Sequence, residues 1–77
     1  MSEIKMVEVV SSNIKEVGYD EDTLTLRVTF HGNKSYDYMG VSSMAYTDLL
    51  NSESIGKHFH HNIKGVYEWN KVALPPE

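Results

Sequence analysis

The clearest signal in this chain is a strict alternation. From Thr23 to Phe30, Leu24, Leu26, Val28 and Phe30 occupy one phase, and Thr23, Thr25, Arg27 and Thr29 the other. A period of two is that of a half-buried strand, because successive side chains point to opposite faces. Ser35-Tyr36-Asp37-Tyr38-Met39 reads as the returning strand, and His31-Gly32-Asn33-Lys34 as the hairpin between them. Upstream, Ile14 to Tyr19 is a third strand, joined to the alternating one by the acidic turn Asp20-Glu21-Asp22. Val17 and Tyr19 share a phase and Ile14 is out of step with them. A bulge near Lys15-Glu16 brings all three to one side. Met6 to Val10 is either an edge strand or an extended lead-in, interrupted by Ser11-Ser12-Asn13.

After Gly40 the period changes to that of a helix. Val41, Ala45 and Leu49 recur at i, i+4 and i+8, with Tyr46 and Leu50 beside them. Ser42 or Ser43 is the expected N-cap. Asn51-Ser52 ends this helix, and Ser54 caps a second short one, in which Ile55, Phe59 and Ile63 line one side. Gly65 releases the chain, and residues 66–72 form a last strand or extended packing. The expected fold is α+β: a small antiparallel three- to four-stranded meander sheet with two short helices packed on it. It is expected to be a single domain over 1–77, with its core at about 9–72. Residues 1–6 and 73–77 read as tails, the second because Pro75-Pro76 lacks backbone donors.

Composition narrows the function. The chain has 77 residues, of which 40% are hydrophobic, enough for one thin core with little left to wall off a buried reaction chamber. It has no cysteine, which favours a reducing compartment, and the expected location is cytoplasmic. No apolar run is long enough for a signal peptide or a membrane span. The net charge of -4 opposes tight non-specific DNA binding. The charge is unevenly spread, however. Lys57, Lys64 and Lys71 face only Glu68 between residues 54 and 71, and three of the 4 histidines also fall there.

In order along the chain come Ser11-Ser12-Asn13-Ile14, Val17-Gly18-Tyr19-Asp20 and the Leu24-to-Phe30 strand. Tyr36-Asp37-Tyr38, Val41, Tyr46, Leu49 and Leu50 follow, then Ser54-Ile55-Gly56-Lys57-His58-Phe59, Ile63 and Tyr67. This ordered set resembles the KTSC domain and covers about residues 9–70. That domain stands alone in bacterial and phage proteins and is appended to the C-terminus of some lysyl-tRNA synthetases. Three positions depart from its pattern. Ser42 stands where a proline is usual and His58 where a tyrosine is usual, and Trp69 is the second aromatic of the terminal pair. The resemblance implies a binding module of unestablished function, with RNA raised by the synthetase fusion.

The candidate chemistry is modest. Tyr36 and Tyr38 point to one face of a strand, either as a stacking platform for bases or as core beneath the helices. Lys57, His58, His61 and Lys64, with Lys71, form a basic patch near Tyr67 and Trp69, a combination suited to nucleic acid. His58 and His61 are spaced i, i+3 with no cysteine or carboxylate near, so no metal is assigned. No cofactor is implied. Ser11 and Ser12 have no evident base, and Asp20-Glu21-Asp22 sits on a solvated turn, so no enzyme is expected. The leading expectation is a non-enzymatic module that binds single-stranded or structured RNA weakly. The alternative is a protein-interaction module, of the small phage type that engages a host factor through the acidic half at Glu16, Asp20, Glu21 and Asp22.

Overall fold

The structure, a computed structural model, describes residues 4–72. Five strands and two helices follow one another: β1 (Met6–Glu8), β2 (Ile14–Asp20), β3 (Thr25–Phe30), β4 (Lys34–Tyr38), α1 (Ser43–Asn51), α2 (Ile55–Asn62) and β5 (Trp69–Val72). The strands lie in sequence order β1-β2-β3-β4-β5, each antiparallel to its neighbour. The α+β class is as expected, but the sheet has five strands rather than three or four. Both ambiguous segments pair. β1 sets Val7 opposite Val17, and β5 sets Trp69 opposite Tyr38.

Directly opposed residues of an antiparallel pair share a face. Val28 is opposed by Val17 on one side and Tyr36 on the other, and Leu26 by Tyr19 and Tyr38. This row faces the helices. The register of β2 shifts between Ile14 and Glu16, a bulge where the phase break requires one, and both Ile14 and Val17 are fully buried. From the other layer Val41, Leu49, Phe59 and Ile63 close the core.

Leu24 corrects the predicted strand. The residues 21–24 form the turn before β3, and Leu24 has φ 55 and is 45% exposed, so it leaves the apolar row. Its carbonyl instead accepts the Val41 N–H at 2.9 Å, which ties the entry to α1 to this turn. In the β3–β4 hairpin, Gly32 and Asn33 take positive φ, as a tight reversal demands.

The predicted N-terminal tail is also corrected. Ile4 is half-buried and Met6 starts β1. The reason is Gly18, where a Cβ would stand 2.6 Å from both Ile4 Cγ2 and Met6 Sδ and 2.9 Å from the Lys5 carbonyl oxygen. The missing side chain makes room for this segment to close over β2. Gly18→Ala should therefore cost about 1–3 kcal/mol through overpacking and release β1. The check is hydrogen exchange at residues 6–8. Unaltered protection there would contradict this packing. The tail 73–77 and residues 1–3 lie outside the described residues.

The face away from the helices is polar and internally paired. Arg27 donates from Nε to Asp37 Oδ1 at 2.7 Å and from Nη2 to Oδ2 at 3.0 Å. The Thr29 and Ser35 hydroxyls bond at 2.7 Å, with Ser35 only 2% exposed. Each helix is capped as its serine suggested. Ser42 Oγ accepts the Ala45 N–H, and Ser54 Oγ accepts the Lys57 N–H.

Burial has a titration consequence. It pushes the Tyr38 phenol above its ordinary 10.0, with Tyr36 adding to the rise, and it does the same to Tyr46. Tyr19 rises through burial and the nearby charges of Glu21 and Asp20. A phenol is charged when deprotonated, so the unfolded chain ionises first. The stability these groups confer holds below about pH 10 and is lost as pH rises through their folded values. Denaturation midpoints should fall across that range, and Tyr38→Phe should flatten the fall. A midpoint indifferent to pH between about 9 and about 11 would contradict the burial of these phenols.

Candidate functional site

The helix-facing row of the sheet is longer than the helices cover. At the β3–β4–β5 end Phe30, Tyr36 and Trp69 emerge beside α2. Phe30 and Tyr36 rings meet edge to face at 5.8 Å, Tyr36 and Trp69 at 5.3 Å, Phe30 and Phe59 at 5.4 Å, and Tyr38 and Phe59 at 5.3 Å. Five aromatic rings thus form one connected chain, from Trp69 through Tyr36, Phe30 and Phe59 to Tyr38. Edge-to-face contacts satisfy the ring quadrupoles and hold the rings at fixed angles.

These rings wall an open groove of about 630 Å³. Its depth comes from the core and its mouth from the edge strand. Tyr38 is 5% exposed and is mainly core, Tyr36 is half-buried, and Trp69 is 54% exposed. The opposite wall is the loop 11–13. There Ser11 Oγ accepts the Asn13 and Ile14 N–H groups, and the Ser11 carbonyl lies 3.1 Å from His31 Nε2. The His31 N–H also donates to the Asn13 carbonyl at 3.0 Å, so hairpin and loop are joined twice.

The groove's electrostatics differ from those of the chain as a whole. Lys34, Lys64, His31 and His60 line it, and no Asp or Glu does. In a protein of net charge -4 this is a local concentration of basic side chains beside aromatic rings. Asp37 does not intrude. It lies on the far face in its ion pair with Arg27, where the guanidinium is held charged by the carboxylate hydrogen bond.

The residues singled out by sequence are divided by the fold. Tyr36, Tyr38, Lys64 and Trp69 meet in this groove. Lys57 and His61 lie in an adjoining recess. His58 is half-buried on α2 and lines neither. Tyr67 also lines neither. It packs against the core and stands within electrostatic reach of Tyr19. Lys71 pairs with Tyr36 across β4 and β5 without lining the groove. The single basic patch is therefore divided: Lys64, in the turn after α2, lines the groove, Lys57 and His61 on α2 line the adjoining recess, and Lys71 on β5 lines neither. Phe30, His31, Lys34, Phe59 and His60 were not in the predicted site. Lys34 was legible as the next residue in the period-two row of Tyr36 and Tyr38. Among the described residues no three His, Asp or Glu side chains converge as metal ligands. The described residues include no helix long and apolar enough to cross a membrane.

Comparison with known proteins settles the family. The KTSC domain profile matches residues 10–67, from the end of the β1 segment to the approach to β5. The chain belongs to the KTSC family. A crystal structure of a KTSC domain protein from Yersinia pestis superposes with a TM-score of 0.89 at 31% identity, covering 92% of this chain and 100% of that one. Lysine–tRNA ligase of Nostoc punctiforme is 34% identical over 62 residues, which is 80% of this chain and 11% of the enzyme. This KTSC chain thus spans only a small part of the ligases it matches. An uncharacterised protein of Stutzerimonas stutzeri is 33% identical over 61 residues and is matched over 86% of its length. Two of the three positions expected to depart from the family pattern have defined places in the fold. Ser42 serves as the α1 N-cap, and Trp69 becomes the outermost ring of the aromatic chain.

Proposed function

We propose that this KTSC domain is a non-enzymatic binding module whose aromatic groove takes a segment of unpaired RNA in the cytoplasm. The observation that carries the reading is the lining: a fixed chain of aromatic rings bordered by Lys34, Lys64, His31 and His60 and free of carboxylates. An unpaired nucleotide offers a flat base and an anionic phosphate side by side, and such a groove complements both. Duplex is disfavoured, since its bases are stacked inside and the net charge is negative. The match to ligases named for tRNA agrees with this choice of ligand.

Stacking on an aromatic contributes about 1–3 kcal/mol per base, and two lysines neutralise about two phosphates, so affinity is modest and falls with salt at a log–log slope of about -1.4. Trp69 is the sole tryptophan, which makes the site self-reporting. Titration with a short unpaired RNA at low salt should change its fluorescence at about micromolar concentration, an affinity class set by these few contacts. Duplex DNA should not. An unchanged signal at high RNA concentration would remove the RNA reading. The protein-partner alternative would then lead, but it rests on the exposed Glu21-Asp22 turn, which lines neither recess.

A further inference from the structure

Beside the aromatic groove lies a second recess of about 440 Å³, on the far side of the α2 N-terminal turn. The two share Ser12, Asn13, Gly56 and His60 in their linings, so they are neighbours along one surface track. Their chemistry differs. The first is aromatic. The second contains no aromatic ring other than imidazole and carries Lys57, His60 and His61, with Glu53 as its single carboxylate. Lys57 and His61 are exposed, and the His60 and His61 rings stand edge to face at 5.5 Å.

Gly56 is the saddle between them. A Cβ there would lie 3.3 Å from Ser11 Oγ and 4.0 Å from Asn13 Nδ2, so α2 and the loop 11–13 approach closely at this point. Because residue 56 has no side chain, α2 meets the loop there through its backbone, and His60, one turn further along α2, borders both recesses. A groove for a flat ring thus adjoins a polar recess with basic side chains, the two bordered by the same residues Ser12, Asn13, Gly56 and His60. A mononucleotide fills only the first. The second suits the sugar–phosphate that continues from it, since phosphate needs cations and hydrogen bonds and no stacking surface.

We infer that the two recesses form one track over Gly56, and that the occupant is a linked chain of nucleotides with its base in the aromatic groove and its continuing backbone phosphate at Lys57 and His61. The inference rests on the RNA reading of the groove and specifies that what is bound is longer than one nucleotide.

The test compares a nucleoside monophosphate with a dinucleotide and a tetranucleotide of the same base, on the intact chain and on a Lys57→Ala, His61→Ala variant. Both substitutions are on exposed positions outside the aromatic groove, and a melting curve verifies the fold. Affinity should rise about tenfold from monophosphate to tetranucleotide, and the variant should lose about that factor for the tetranucleotide, the scale of one or two phosphate contacts at low salt. The monophosphate should bind the variant and the intact chain alike. Length-independent affinity, or a variant that binds the tetranucleotide as tightly as the intact chain, would overturn the track while leaving the groove standing. Failure of every length to bind would remove the nucleotide reading and the track with it.

Discussion

Leu26→Ala should destabilise the fold by about 2–5 kcal/mol, the range for truncating a large buried side chain. Leu26 is fully buried at the centre of β3, between Tyr19 of β2 and Tyr38 of β4, and under the helix layer. No solvent can fill the space its loss would leave. A domain of this size has on the order of 5 kcal/mol in hand, so the variant should be close to unfolding at room temperature. Arg27 is the next residue and points the other way. Its side chain is 33% exposed and its ion pair with Asp37 is bidentate. Screening by solvent limits that pair, and Arg27→Ala should cost about 1 kcal/mol. Chemical-denaturation midpoints measure both. Equal midpoints would contradict the assignment of the two faces.

Trp69→Ala should weaken binding of unpaired RNA by about 5- to 150-fold, the factor equivalent to one lost base stack of about 1–3 kcal/mol. Lys64→Ala should weaken it less and reduce the salt slope by about 0.7, one phosphate contact to a single strand. The stability cost of Trp69→Ala should be small by comparison, because Trp69 is 54% exposed and its ring stacking among the described residues is the edge-to-face contact with Tyr36. Arg27→Ala is the control. It also removes a cation, but from the face away from the groove, so RNA affinity should not change. An equal loss in Arg27→Ala would mean that bulk charge, and not the groove, attracts the nucleic acid. The readouts are titration by anisotropy of labelled RNA at several salt concentrations.

Much of the fold was legible because its signals are local. The β3 alternation, the out-of-step Ile14 and the two capping serines each express a preference within a few residues of chain. Edge strands carry no such signal. β1 and β5 are mostly exposed, so they lack the one-sided apolar row that marks β3, and the open readings of both segments reflected that. Leu24 departs from the alternation because its positive φ keeps it in the turn and delays the start of β3 to Thr25, while the apolar pattern runs back through it. The site was legible only in pieces. Tyr36 and Tyr38 were known to share a face, but whether that face lies under a helix depends on where α2 docks. The fold divides the pair, with Tyr38 mostly covered and Tyr36 half open. Phe30 and Phe59 read as core by periodicity; Phe59 is core and Phe30 is partly buried against it, and both rings also wall the groove. The loop 11–13 and the hairpin residue His31 meet through backbone bonds between positions far apart in sequence, which no spacing reveals.

The most direct test of the central claim is the amide and indole footprint of a short unpaired RNA on the isotope-labelled chain at low salt. The account predicts that the Trp69 indole and the amides of Phe30, His31, Lys34, Tyr36, His60 and Lys64 shift together as RNA is added, while Arg27, Asp37 and Asn70 on the opposite face stay still. Shifts centred on the Arg27–Asp37 face or on the Glu21-Asp22 turn, or none at saturating RNA, would contradict it.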